Sequence, residues 1–138
     1  MNTNTTLELA LKFAALTHLG LVAAGALMPR ATGLWAECAK LAPFPRTLFR
    51  VYYAFIGLCL VSFGLGSWIF ASELTSGTPA ARAVCGFLAA FWTLRWIAAL
   101  LLDVTPYLVN RWWRLGYHAT SVVFCLLPFI YAWAALAV

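Results

Sequence analysis

The chain has 138 residues, of which 64% are hydrophobic and 9% charged, with a formal net charge of +5. Soluble domains carry about 25% charged and about 45–50% apolar residues, and too much of a small globule is exterior to hide this much apolar surface. The composition excludes a soluble fold. The basic residues flank apolar runs rather than cluster, so they read as membrane topology signals and give no nucleic-acid surface.

A membrane span needs about 20 mostly apolar residues to cross about 30 Å of hydrocarbon. The segment Met1–Thr6 is polar and free of Lys and Arg, so the basic start of a cleavable signal peptide is missing. The first apolar run, 7–28, is expected to stay as a span that ends at Pro29. From Ala31 to Leu41, the residues Leu34, Trp35, Cys38 and Leu41 recur at helical spacing, with Glu37 and Lys40 away from them. That pattern predicts a short amphipathic helix lying in the interface, stopped by Pro43 and Pro45. The second span covers 47–71, opened by Pro45 in a first-turn position that proline tolerates. Its residues Gly57, Ser62, Gly64, Gly66 and Ser67 form a small-residue face on which another helix can pack closely.

The third span covers 79–102, with Thr78 as its N-cap. Thr105 and Pro106 predict a second interfacial helix, running through Tyr107, Leu108, Trp112 and Trp113 until Gly116 ends or bends it. The fourth span covers 117–138 and contains Pro128, which membrane helices tolerate. The expected fold is an all-α membrane protein with a single domain over 1–138. It has four transmembrane helices in a bundle, and short amphipathic interfacial helices in its two cytoplasmic connections.

Orientation follows from Lys and Arg. The connections after spans one and three carry Arg30, Lys40, Arg46, Arg50, Arg111 and Arg114, against Lys12 and Arg82 on the opposite side. The basic side is cytoplasmic by the positive-inside rule, which places both termini and the Glu73 loop outside. The expected location is the inner (plasma) membrane, crossed several times. Lys40, Arg46, Arg50, Arg111 and Arg114, interleaved with Trp35, Trp112 and Trp113, are the expected contacts to anionic lipid. Trp68 and Trp133 fit the outer aromatic belt.

Few residues could carry chemistry. Arg95 lies inside span three, beside Trp92 and Trp96, with Asp103 eight positions on, about 12 Å along the helix. A charge inside the membrane costs at least about 2.5 kcal/mol and normally faces the bundle with a partner. Two readings stay open: Arg95 snorkels to the headgroups or caps carbonyls of a neighbouring helix, or it forms an anion or lipid-headgroup site. His18, near the middle of span one, is either a neutral imidazole hydrogen-bonded within the bundle or a haem ligand or proton relay. The second histidine, His118, differs from it in depth by about 13 Å, whereas two axial nitrogens of one haem lie about 4 Å apart. Glu8 and Lys12 have the favourable order for a helical ion pair, and Asp103, Arg111 and Arg114 suggest an interfacial charge cluster.

The four cysteines, Cys38, Cys59, Cys85 and Cys125, form no CxxC pair, so neither a disulfide framework nor a zinc module is expected. The membrane-embedded thiol oxidoreductases have this size but need a close cysteine pair. The small multidrug transporters have it too, but need an embedded glutamate where this chain has only Glu8 at the span's edge. No cofactor or metal is expected, and the lack of a catalytic motif points away from an enzyme. Three functions remain: an accessory or structural subunit of a larger membrane assembly, a small transporter or lipid- or anion-binding protein using Arg95, or a redox or quinone-handling protein using His18 and the Trp92/Arg95/Trp96 cluster.

Overall fold

Proline has no backbone N–H, so inside a helix it leaves the carbonyl four residues earlier without its partner. The computed structural model, which describes residues 3–137 without the side chains of Thr3 and Thr105, shows how this chain resolves that conflict at Pro29. Helix α1, Thr3–Ala31, runs straight through Pro29. The freed Gly25 carbonyl accepts instead from the Tyr53 hydroxyl of helix α3, Pro43–Ile69. The helix stops two residues later than expected, where Gly33 takes a left-handed φ of +66° that residues with a Cβ rarely adopt.

The first amphipathic segment is helical as expected, over α2, Leu34–Ala39. Cys38 is buried, Glu37 and Lys40 pair outward at 2.7 Å, and the Trp35 ring stands edge-on to Tyr53 at 5.3 Å. Helix α3 begins at Pro43 rather than residue 47. Pro43 and Pro45 both fall in its first turn, where the backbone donors have no intrahelical partners to lose. A break at Phe70 separates α3 from the single turn α4, Ala71–Leu74, which holds Glu73. Gly77, with φ +72°, turns the chain into α5, Pro79–Leu100. Thr78 caps α5 as expected, its hydroxyl accepting from Ala81 N at 3.3 Å.

The second connection differs from expectation. It holds one turn of 3-10 helix, Thr105–Tyr107, in place of an interfacial helix reaching Gly116. The cap expected from Thr105 lies outside the described side chains. The chain restarts at Asn110, whose Oδ1 accepts from Trp112 N at 3.1 Å, and α6 then runs unbroken over Arg111–Leu136. The fourth span's helix therefore starts six residues before Tyr117, and Trp112 and Trp113 belong to its first turn. Gly116 stays helical within it, because the left-handed turns of the described residues fall at Gly33 and Gly77. At 1.5 Å per residue α6 is about 39 Å long, more than the hydrocarbon thickness.

The four long helices are each long and apolar enough to cross a membrane, and the chain is a multi-pass all-α membrane protein. The connections between them are too short and too coiled to run the length of a helix, so successive long helices are antiparallel. Helix α1 packs on both α3 and α6, and α5 packs on α6. The core runs along α1 through Leu7, Leu11, Ala14 and Leu21, and meets Leu88 and Trp92 of α5 and Leu127 and Tyr131 of α6. The backbones of α3 and α5 stay apart, and the two helices meet through rings, Phe63 standing edge-on to Phe91 at 5.0 Å and to Phe87 at 6.3 Å. The bundle is therefore open along one side, and only 6% of the most apolar stretch of α3 is buried.

Candidate functional site

His18 is fully buried, at 0% exposure, and its Nδ1 lies 2.6 Å from the Ala14 carbonyl oxygen. A carbonyl only accepts, so Nδ1 carries the proton and Nε2 holds a bare lone pair. Gly64 is what allows α3 to approach: a Cβ there would lie 3.0 Å from His18 Cβ and 3.3 Å from the Ala15 carbonyl oxygen. Three rings stand edge-on around the imidazole: Trp92 at 5.1 Å, Tyr131 at 6.2 Å and Phe63 at 6.4 Å between centroids. They come from α5, α6 and α3, so this point joins all four long helices. Tyr131 is tied across the bundle to Ser67 of α3, hydroxyl to hydroxyl, at 2.6 Å. Two polar atoms in this cluster have no hydrogen-bond partner among the described residues, His18 Nε2 and Trp92 Nε1.

The cluster extends toward the basic end through stacked groups. Trp92 stacks on Phe124 of α6 with centroids 5.8 Å apart, and the Arg95 guanidinium carbon lies 4.5 Å over that same Phe124 ring. The ring's negative face attracts the cation. Of the expected site residues, His18, Trp92 and Arg95 are thus brought together, the last through Phe124. The contact that the structure gives Arg95 is this ring of the neighbouring helix. Asp103 lies beyond the end of α5, and no ring contact draws Trp96 into the cluster. Arg114 Nε donates to the Leu108 carbonyl at 3.1 Å, and Arg111 lies 5.9 Å over the Trp112 ring.

His118 is exposed and its ring meets Tyr117. It lies about 20 Å along α6 from Tyr131, the residue of that helix that reaches His18. Among the described residues no three His, Cys, Asp or Glu side chains gather into a metal-binding group, and the four cysteines are unpaired.

Beside the cluster runs a groove of about 600 Å³ between α3 and α5. Ser62, Phe63, Gly66 and Ser67 form one wall, Ala80, Ala81, Val84 and Leu88 the other, and Glu73, Ser76 and Thr78 lie at its end. Phe63 and Ser67 belong to both features: they line the groove, and their other sides touch His18 and Tyr131. Tyr131, Phe124 and the pairing of Ser67 escaped the sequence reading, although the small-residue face holding Gly64, Gly66 and Ser67 was visible there. Lys12 pairs with Glu8 at 2.7 Å as expected, Arg82 donates to the Ala135 carbonyl at 3.0 Å, and Arg46 donates to the Leu41 carbonyl at 2.7 Å.

No protein-family model, curated protein or solved structure matches the chain.

Proposed function

We propose that the protein is an accessory, non-enzymatic subunit of a larger assembly in the inner (plasma) membrane, and that the groove between α3 and α5 seats an apolar helix of a partner subunit. The observation that carries this reading is the open side of the bundle. In lipid there is no hydrophobic force between helices, so association depends on close packing and interhelical hydrogen bonds. The groove leaves room for such contacts, and Ser62, Gly66, Ala80 and Ala81 line it with side chains small enough for a backbone to approach.

Charge favours a partner other than a second copy. Glu73 stands at the groove's end. The basic residues of this chain nearest that end of the bundle, Lys12 and Arg82, are engaged with Glu8 and the Ala135 carbonyl. The complement to Glu73 is then a basic residue at the end of the partner's helix. On this reading the basic end faces the cytoplasm and both termini face out. Lys40, Arg46, Arg50, Arg111 and Arg114 form a collar for anionic lipid, with Trp35, Trp112 and Trp113 anchoring it. Arg95 serves the bundle as a cation held on Phe124 rather than as a transport site.

Purification from native membranes in mild detergent tests the reading. The chain is expected to co-purify in fixed stoichiometry with another integral membrane protein, and Gly66→Phe, which fills the groove, is expected to release it. A lone monomer, or co-purification that ignores Gly66→Phe, overturns it.

A further inference from the structure

His18 Nε2 and Trp92 Nε1 are complementary. The imidazole nitrogen is an acceptor, because its ring proton sits on Nδ1 against the Ala14 carbonyl. The indole N–H is only ever a donor. Both side chains are at least 99% buried, the rings lie 5.1 Å apart, and neither polar atom has a partner among the described residues. Leaving a buried donor and a buried acceptor unpaired forfeits their hydrogen bonds to water with nothing in return. One group cancels both costs, a hydroxyl whose O–H donates to His18 and whose oxygen accepts from Trp92. A single hydroxyl oxygen can take part in both bonds at once.

We propose that His18 and Trp92 form a two-point binding site for one hydroxyl group inside the membrane. The site is independent of the partner-helix reading, since neither residue lines the α3/α5 groove. The hydroxyl has two possible sources with the same chemistry. One is a water molecule. The other is the polar end of a membrane-dissolved alcohol or phenol. Anions fit poorly, because Trp92 offers one donor and the imidazole lone pair repels negative charge.

The test is nuclear magnetic resonance on the full-length chain in detergent micelles, with isotope-labelled histidine and His118→Gln so that His18 gives the only signal. The expected result is an Nε2 resonance shifted to the position of a lone pair that accepts a hydrogen bond, reverting toward the free position in Trp92→Phe, which keeps a ring and removes the N–H. Magnetisation transfer from water to His18 assigns the hydroxyl to water. A saturable further shift on adding para-octylphenol to the wild-type chain, with loss of that transfer, assigns the site to amphiphile hydroxyls. The proposal is overturned if Nε2 has a free lone pair and ignores octylphenol. It is equally overturned if the bonded shift occurs with no transfer from water and no response to octylphenol, which would mean that Trp92 donates directly to His18. The titration needs no substitution at Trp92, so the outcome stands even if that variant fails to fold.

Discussion

Gly64 is the position where one added methyl group should be felt most. Replacing a glycine inside a helix by alanine gains about 1 kcal/mol of helix propensity wherever there is room. At Gly57 and Gly86 nothing lies within 4 Å of the new Cβ, so that gain is expected in full. At Gly64 the new Cβ would press on His18 Cβ at 3.0 Å and on the Ala15 carbonyl oxygen at 3.3 Å. Neither neighbour can yield freely, because one is backbone and the other belongs to a side chain hemmed in by three rings. Overpacking of this kind costs about 1–3 kcal/mol. Since the propensity gain is common to all three sites, Gly64→Ala should fall below Gly57→Ala and Gly86→Ala by that amount. Thermal unfolding in one detergent checks it, each kcal/mol being worth about 2–8 °C across small and mid-sized domains. Gly64→Leu should cost more than Gly64→Ala. Equal melting temperatures for Gly64→Ala and Gly57→Ala would refute the close approach of α1 and α3 at His18.

The Ser67–Tyr131 bond should contribute what interhelical hydrogen bonds in membranes do, about 0.6 and at most about 1.7 kcal/mol. Ser67→Ala and Tyr131→Phe should each cost that much in thermal unfolding, with the double variant no worse than the poorer single one; full additivity would contradict a shared bond. Arg95→Leu should cost about 0.5–2 kcal/mol through the lost contact with Phe124 and show no added cost in a Phe124→Leu background, whereas Arg95→Lys keeps a cation over the ring. An Arg95→Leu chain as stable as wild type would deprive that contact of any weight. In a chain stripped of native cysteines, single cysteines at Thr5 and Gly77 should label from outside and those at Lys40 and Asn110 only from the cytoplasm; the reverse pattern inverts the orientation. Native mass spectrometry should find anionic lipid retained over zwitterionic lipid, by about 1 kcal/mol per basic residue, and Arg111→Gln with Arg114→Gln should reduce that preference.

The spans were legible in the sequence because the solvent dictates them: a lipid-crossing helix must be long, apolar and hydrogen-bonded within itself. Local signals also read correctly where one residue decides the outcome, as with Thr78 capping α5 and Glu8 pairing with Lys12. The start of α6 was misplaced because Thr105–Pro106 and Asn110 are both capping signals, and periodicity does not separate one long helix from two joined in phase. The surroundings of His18 were not legible at all. Which side chains meet in the middle of a bundle depends on how helices far apart in sequence pack, and Tyr131 within an apolar run carries no mark of the contact it makes. For the same reason Arg95 pointed along its own helix toward Asp103, while the packing of α5 on α6 gave it Phe124.

The open groove between α3 and α5, and its occupant, can be addressed directly in native membranes. A photoreactive amino acid placed at Ser62 or Val84 faces the groove, whereas at Leu58 or Leu94 it faces outward from exposed helix surface. The account predicts that the groove positions give adducts of one size with a different membrane protein, that the outward positions give lipid adducts, and that Gly66→Phe abolishes the protein adduct at Ser62 and Val84. Lipid adducts alone from the groove positions, or adducts with a second copy of this chain, would contradict it.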